Sequence, residues 1–483
     1  MKRRSGILLH ISSLPSGYGI GTLGAGARRF ADFLYESGFS VWQVLPFCMP
    51  DEYGSPYKSR ATFSVNPYLI DLEQLFAEGL ITEAELSSAA EDSPYLVDYE
   101  RLYRERLPLL ARAAERARAD KALCMRVGRF MKSHPEICAA AEYLALSEAN
   151  GGAPWQTWTI DKCDPVRLFV WKFIQYEFHR QWRELKAYAN KRGIEIVGDM
   201  PMYVDLDSAD VWANPKSFRL DSNGYPLAVA GVPPDAFSED GQLWGNPLYD
   251  YAEMEKDSYQ FWRRRIEYAL TLFDGVRIDH FRAFEAYWQI PTDAKSAKDG
   301  EWITGPGKPL IDVIRSAAGD KLIIAEDLGV ITDGVRELLE YSGMPGMRVM
   351  QFAFSEGKDN LHMPHNYVEN SIAYTGTHDN DTTLGYLYSA SEWERERALA
   401  YCSRPGVELS AAVEDVIKTA LRSASGLVVI PMQDILGYGA DTRMNTPGRP
   451  TGNWAWRLAD WQLELPDREK WNNLNRLYAR VKS

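Results

Sequence analysis

Eight short runs rich in β-branched and aromatic residues recur along this 483-residue chain, most of them separated by stretches of helical periodicity, and this alternation constrains the fold most. The runs are residues 6–11, 40–47, 194–204, 275–281, 321–328, 347–354, 371–378 and 426–436. Parallel strands joined by crossover helices account for the pattern, and eight of them close into an α/β (β/α)8 TIM barrel. An open doubly wound sheet is the competing arrangement.

Two gaps exceed simple connections. Residues 72–193, between runs two and three, read as a mainly helical insertion. Within it Ile174, Phe178, Trp182, Leu185 and Ala189 recur at i+4, i+4, i+3 and i+4, which predicts a helix with one face on the barrel. Its charged stretches read as solvated helix faces. Residues 205–274 form a second insertion, where Asn223-Gly224 between β-like flanks predicts a hairpin turn. The expectation is one barrel domain over 1–483, with the insertions at the C-terminal face of the strands. No internal repeat is seen.

Bulk properties narrow the function classes. A net charge of −13, without a basic stripe, disfavours nucleic acid. No apolar run reaches the roughly 20 residues of a membrane span. The start, MKRRSGILLHISS, has a basic beginning but too short an apolar run for a signal peptide, so the protein is expected in the cytoplasm. Five scattered cysteines without a C-x-x-C pair read as buried small hydrophobes in a reducing compartment.

Chemistry concentrates where strands end. A core strand tolerates an ionisable side chain only at its open end, and Asp279, Glu326 and Asp379 each stand where a β-rich run stops, on strands four, five and seven. Alternation along strand four places Arg277 and Asp279 on one face, with Ile278 and His280 on the other. A guanidinium beside Asp279 favours its ionised form, as a nucleophile requires. Glu326 follows the apolar run LIIA, a setting that raises a carboxyl pKa and makes a general acid. Taken singly, each has a structural alternative: an Arg–Asp pair or helix cap at Asp279, or a buried ion pair at Glu326 with Asp327 capping a helix. Together they fit a retaining glycosidase: Asp279 attacks the anomeric carbon, Glu326 protonates the leaving oxygen, and Asp379 anchors sugar hydroxyls and helps distort the ring.

Two other readings fare worse. His378-Asp379 could ligate a metal, but His362 and His365 do not complete a ligand set, and Asp221-Ser-Asn-Gly lacks the downstream acid of a calcium loop. Gly19-Ile-Gly-Thr-Leu-Gly24 fits a dinucleotide fingerprint, but Ser12 to Tyr18 separate it from the preceding strand. It reads instead as a loop at the barrel mouth before a helix over about 27–37.

The strings LLHISSLPSGYGIGTLG, SPYKSRATFSVNPYLIDL, VGDMPMYV, AGVPPDAFSEDGQLWGNPLYD, GVRIDHFRAF, IIAEDLG, GTHDNDT, MQDILG and RMNTPGRPTGNWAWR resemble the 4-α-glucanotransferases, or amylomaltases, of glycoside hydrolase family 77. The resemblance runs in order from residue 6 to about 457. It implies Asp279 as nucleophile, Glu326 as acid/base and Asp379 as stabiliser. It further implies that Tyr57, Asp199, Arg277, His280 and His378 surround the sugar at the cleavage point. Gly231-Val-Pro-Pro-Asp235, leading to Trp244, matches a lid over the acceptor, with Trp244 as a stacking platform; Asn445 to Pro447 match the opposite wall. The implied activity is transfer of α-1,4-glucan segments between malto-oligosaccharides, with no cofactor or metal. The sequence departs from the family at Tyr53-Gly-Ser-Pro-Tyr57, where many members have an Asp between Gly and Ser. An α-glucan hydrolase and a non-catalytic glucan-binding protein are the alternatives.

Overall fold

A computed structural model describes every residue except 1, 52, 92, 235–238, 356–359, 405, 450 and 482–483. Eight parallel strands close a barrel, each paired with its neighbours in sequence and the first with the eighth. They are Arg4–Leu8, Val41–Gln43, Glu195–Met200, Gly275–Ile278, Leu322–Ala325, Gly346–Val349, Ser371–Tyr374 and Leu427–Pro431. Ile7 lies between Trp42 and Ile430, so the ring closes through strand one. Gly6 permits this closeness: a Cβ there would stand 2.5 Å from the Val41 carbonyl oxygen. Strand eight, LVVIP, is buried throughout, as expected of a strand covered on both faces.

The strands are shorter than the runs predict. Run three stops at Met200, before Pro201, which has no N–H for a ladder. Run six turns into the 3-10 helix Met350–Phe352, and run eight becomes the helix Met432–Leu436. Strand propensity extends past the last paired residue because those side chains stay buried at the barrel mouth.

Between strands two and three lie the helices Tyr99–Ala117, Lys121–Ser133, Pro135–Ala149 and Pro165–Lys191. The last is capped by Asp164, whose side chain accepts from the Val166 and Arg167 amides, and it buries Ile174, Phe178, Trp182, Leu185 and Ala189. After the glycine-rich loop, the helix Ala25–Glu36 follows. Asn223-Gly224 forms the expected turn, with Gly224 at φ +85, but its flanks make only the single bridge Leu220↔Pro226.

A four-stranded sheet was not anticipated. Its order is Gln242–Pro247, Ala228–Val232, Ala286–Pro291, Glu301–Thr304, and its pairs are antiparallel. The strand Glu301–Thr304 is mostly exposed, so no apolar run announces it. All five cysteines are free, but Cys124, Cys138 and Cys163 are half-buried, unlike the expected core residues; only Cys48 and Cys402 are buried. No helix among the described residues is long and apolar enough to cross a membrane.

Candidate active site

Barrel strands three, four, five and seven end in carboxyl groups that face a common mouth. Asp199, on strand three, is buried, and Arg277 Nη1 donates to its Oδ1 at 2.9 Å and its Oδ2 at 2.8 Å. The same guanidinium reaches Asp279 Oδ1 from Nη2 at 2.9 Å. Arg277 and Asp279 thus share a face, as alternation predicts. Burial alone would lower the Arg277 pKa, but Asp199 and Asp279 hold it well above its ordinary value and keep the cation. Tyr57 OH donates to Asp199 Oδ2 at 3.0 Å, fixing its ring at the site.

Glu326 occupies a different environment. Oε2 accepts from the His280 N–H at 2.7 Å and Oε1 from the Leu328 N–H at 2.7 Å. Burial and the neighbouring Asp279 charge nevertheless push the Glu326 carboxyl up to about 8, against the pull of Arg277. At neutral pH it holds a proton beside Asp279. Asp327 does not cap a helix: it pairs with Arg348 Nη1 at 3.0 Å and accepts from the Met347 N–H at 2.5 Å. Gly346 makes room, since a Cβ there would meet the Asp327 carboxylate.

His280 departs from the alternation reading. It takes a left-handed conformation, φ 49, which ends the strand and turns its ring to an edge contact with Trp244 at 5.0 Å. Burial lowers its pKa to about 4, so the ring is neutral, and its Nε2 is buried without a partner among the described residues. Trp244 lies on the small sheet, with its Nε1 donating to Gln242 Oε1 at 3.2 Å. The stem residues 231–234 of the expected lid are described; Asp235 lies outside the described residues.

Asp379 forms the opposite wall. Asn445 Nδ2 donates to its Oδ1 at 2.6 Å, His378 Nε2 is 3.4 Å from its Oδ2, and Arg443 Nη2 donates to its carbonyl at 2.5 Å. The His378 ring stacks on Tyr57 at 5.1 Å, which joins this wall to the Asp199–Arg277 pair. Pro447 is not brought into this cluster; it sits in the exposed turn closed by Arg449 N–H to Thr446 O at 3.1 Å.

Three neighbours went unnoticed in the sequence. Arg443 braces Asp379, and Trp454 stands 5.7 Å from Tyr57 and 5.9 Å from His378. Both belong to the string RMNTPGRPTGNWAWR, whose aromatic density was the available signal. His10, buried and lining a cavity with His378, accepts from the Leu45 N–H at 3.2 Å and belongs to the string LLHISSLPSGYGIGTLG. Among the described residues no group of three or more His, Cys, Asp or Glu is placed to hold a metal ion.

Residues 9–463 match the family model described as 4-alpha-glucanotransferase. The chain is 43% identical to the 4-alpha-glucanotransferase of Thermus thermophilus, covering 96% of both chains. It is 43% identical to the chloroplastic/amyloplastic 4-alpha-glucanotransferase DPE1 of Arabidopsis thaliana, covering 95% of this chain and 82% of that one. Among solved structures, the amylomaltase from Streptococcus agalactiae in complex with acarbose superposes with a TM-score of 0.95 at 37% identity, covering 100% of both chains. The amylomaltase from Corynebacterium glutamicum, at 20% identity and TM-score 0.79 over 99% of this chain and 74% of that one, shares the fold. By sequence and by barrel architecture, the chain belongs to the 4-alpha-glucanotransferase family, glycoside hydrolase family 77.

Proposed function

We propose that this enzyme transfers α-1,4-glucan segments from one malto-oligosaccharide to another, or to glucose, by a retaining double displacement. One observation carries the reading: at the ends of adjacent strands, Glu326 holds a proton up to about pH 8 while Asp279 is ion-paired to Arg277 at 2.9 Å. A carboxyl group with a raised pKa beside one ion-paired to a guanidinium supplies an acid and a nucleophile.

In the first step a carboxylate oxygen of Asp279 forms a bond to the anomeric carbon. The glycosidic C–O bond breaks as Glu326 gives its proton to the departing 4-oxygen, leaving a glycosyl ester on Asp279 and a carboxylate on Glu326. In the second step Glu326 removes the proton from an acceptor 4-hydroxyl, whose oxygen attacks the same carbon and releases Asp279. Asp379, braced by Asn445 and Arg443, takes the hydroxyls of the distorted sugar. Asp199, Tyr57, Arg277 and His378 frame that sugar. His280 offers its unpartnered Nε2 to a ligand hydroxyl, and Trp244 and Pro447 flank the glucan path. Transfer over hydrolysis follows if the acceptor excludes water from the ester. The chemistry draws on these side chains with no cofactor or metal.

The chain, 1–483, is read as one catalytic unit whose insertions 72–193 and 205–274 build the walls of the cleft. Five free thiols fit a reducing compartment, so the cytoplasm is the proposed location.

The test is a time course with maltotriose alone, separating products by length and counting reducing ends. Glucose plus a ladder of longer maltodextrins at constant reducing ends supports transfer. Rising reducing ends without a ladder mean hydrolysis; no change on maltotriose or longer glucans means binding without catalysis.

A further inference from the structure

The segment 375–383, which carries His378 and Asp379, leaves barrel strand seven after Tyr374 and runs into the helix Thr383–Ser389. Both its ends meet on one side chain. Asp434 lies in the short helix after strand eight and is 2% exposed. Its Oδ2 accepts from Thr375 Oγ1 at 2.6 Å and from Thr383 Oγ1 at 2.7 Å, and its Oδ1 accepts from the Thr383 N–H at 2.7 Å.

A buried carboxyl bonded to neutral donors is a costly way to stabilise a core, because desolvation opposes it and an apolar group of like volume packs without that cost. What it does supply is a fixed distance between two pieces of chain. The middle of the segment is braced separately: Asn380 Oδ1 accepts from Thr377 Oγ1 at 2.8 Å, Gln351 Nε2 donates to the Asp381 carbonyl at 2.7 Å, and Asn445 holds Asp379. The two ends are gripped by Asp434.

The geometry points to Asp434 as a positioning residue for Asp379: by holding the first and last residues of 375–383 on one carboxyl group, it sets the span of the loop and the placement of the stabilising carboxylate. This inference rests on the role proposed above for Asp379. A stabiliser acts most strongly in the transition state, so a misplaced one lowers kcat more than it changes KM.

The test compares Asp434→Ala, Asp434→Asn, Thr375→Val and Asp379→Asn with the parent as full chains, recording melting curves and, well below melting, kcat and KM for maltotriose. Asp434→Ala is expected to lower kcat per folded molecule on the order of 10- to 100-fold, with a much smaller change in KM. Asp434→Asn, which keeps the shape and one acceptor oxygen, is expected to recover most of that loss. A lower melting temperature with kcat within about twofold of the parent would reduce Asp434 to a structural residue and overturn the inference. Should Asp434→Ala fail to fold, Thr375→Val decides on the same terms: kcat down with KM held supports it, and unchanged kcat overturns it. Full activity in Asp379→Asn would sink the role of Asp379 and this inference with it. An inactive Asp379→Asn beside fully active Asp434→Ala and Thr375→Val would sink this inference alone.

Discussion

The backbone N–H of His280, the residue after Asp279, donates a 2.7 Å hydrogen bond to Glu326 Oε2. The end of strand four is thereby fastened to the carboxyl group of strand five. This contact fixes where the carboxyl group of Glu326 sits relative to Asp279.

Glu326→Gln is expected to lower kcat on maltotriose by about 10²- to 10⁴-fold, the usual contribution of a general acid. With a glucosyl fluoride donor, whose leaving group needs little protonation, the first step should lose far less. Burst kinetics with the fluoride check this; an equal loss on both donors would remove Glu326 from the acid role.

Activity should depend on pH through the same group. With the carboxyl raised to about 8, kcat/KM should fall on the alkaline side as pH passes that value, because the acid form disappears. Stability should follow. The folded state keeps a proton that the unfolded chain releases near 4.5, so the parent loses stability as pH rises from there towards about 8. Glu326→Gln lacks this loss, and its melting temperature relative to the parent should climb across that window. Parallel melting curves for both proteins would contradict the raised pKa.

Arg277→Ala leaves Asp199 buried without its partner. Breaking a buried pair from one side costs about 3–5 kcal/mol, so urea denaturation should show a loss of that order together with a fall in kcat. A stable variant that is merely inactive would mean that water replaces the guanidinium beside Tyr57.

Trp244→Ala should weaken acceptor binding by on the order of 1 kcal/mol, raising the KM for a glucose or maltose acceptor severalfold. With the platform gone, more of the glycosyl-enzyme should go to water. The ratio of reducing ends released to glucan transferred measures this, and an unchanged ratio would confine Trp244 to packing against His280.

Asn445→Ala removes the 2.6 Å donor to Asp379 Oδ1. A drop in kcat of about tenfold is expected, the scale of one charge-assisted hydrogen bond, with little change in melting temperature because Asp379 is half-exposed. Steady-state kinetics on maltotriose check it.

Much of the site was legible because its signals are local. A β-rich run that stops at an acid marks Asp279, Glu326 and Asp379 wherever the rest of the chain goes, and alternation alone puts Arg277 on the face of Asp279. The eight runs fixed the barrel because covered parallel strands need continuous apolar side chains. Local signals fail where burial outlasts pairing, as at the ends of runs six and eight, and where a strand is too exposed to need an apolar run, as at Glu301–Thr304.

The sequence by itself determined where the eight barrel strands lie, that three carboxyl groups stand at their ends, and the family to which the chain belongs. The tertiary structure alone decided which groups meet. Tyr57 reaches Asp199 across 142 residues, Arg277 reaches it across 78, Asn445 reaches Asp379 across 66, and Asp434 reaches Thr375 across 59. No propensity or period encodes these distances. They arise when the barrel closes and brings remote strand ends to one rim, where burial in a low-dielectric site turns one carboxyl group into an acid and an adjacent guanidinium pairs with the nucleophile.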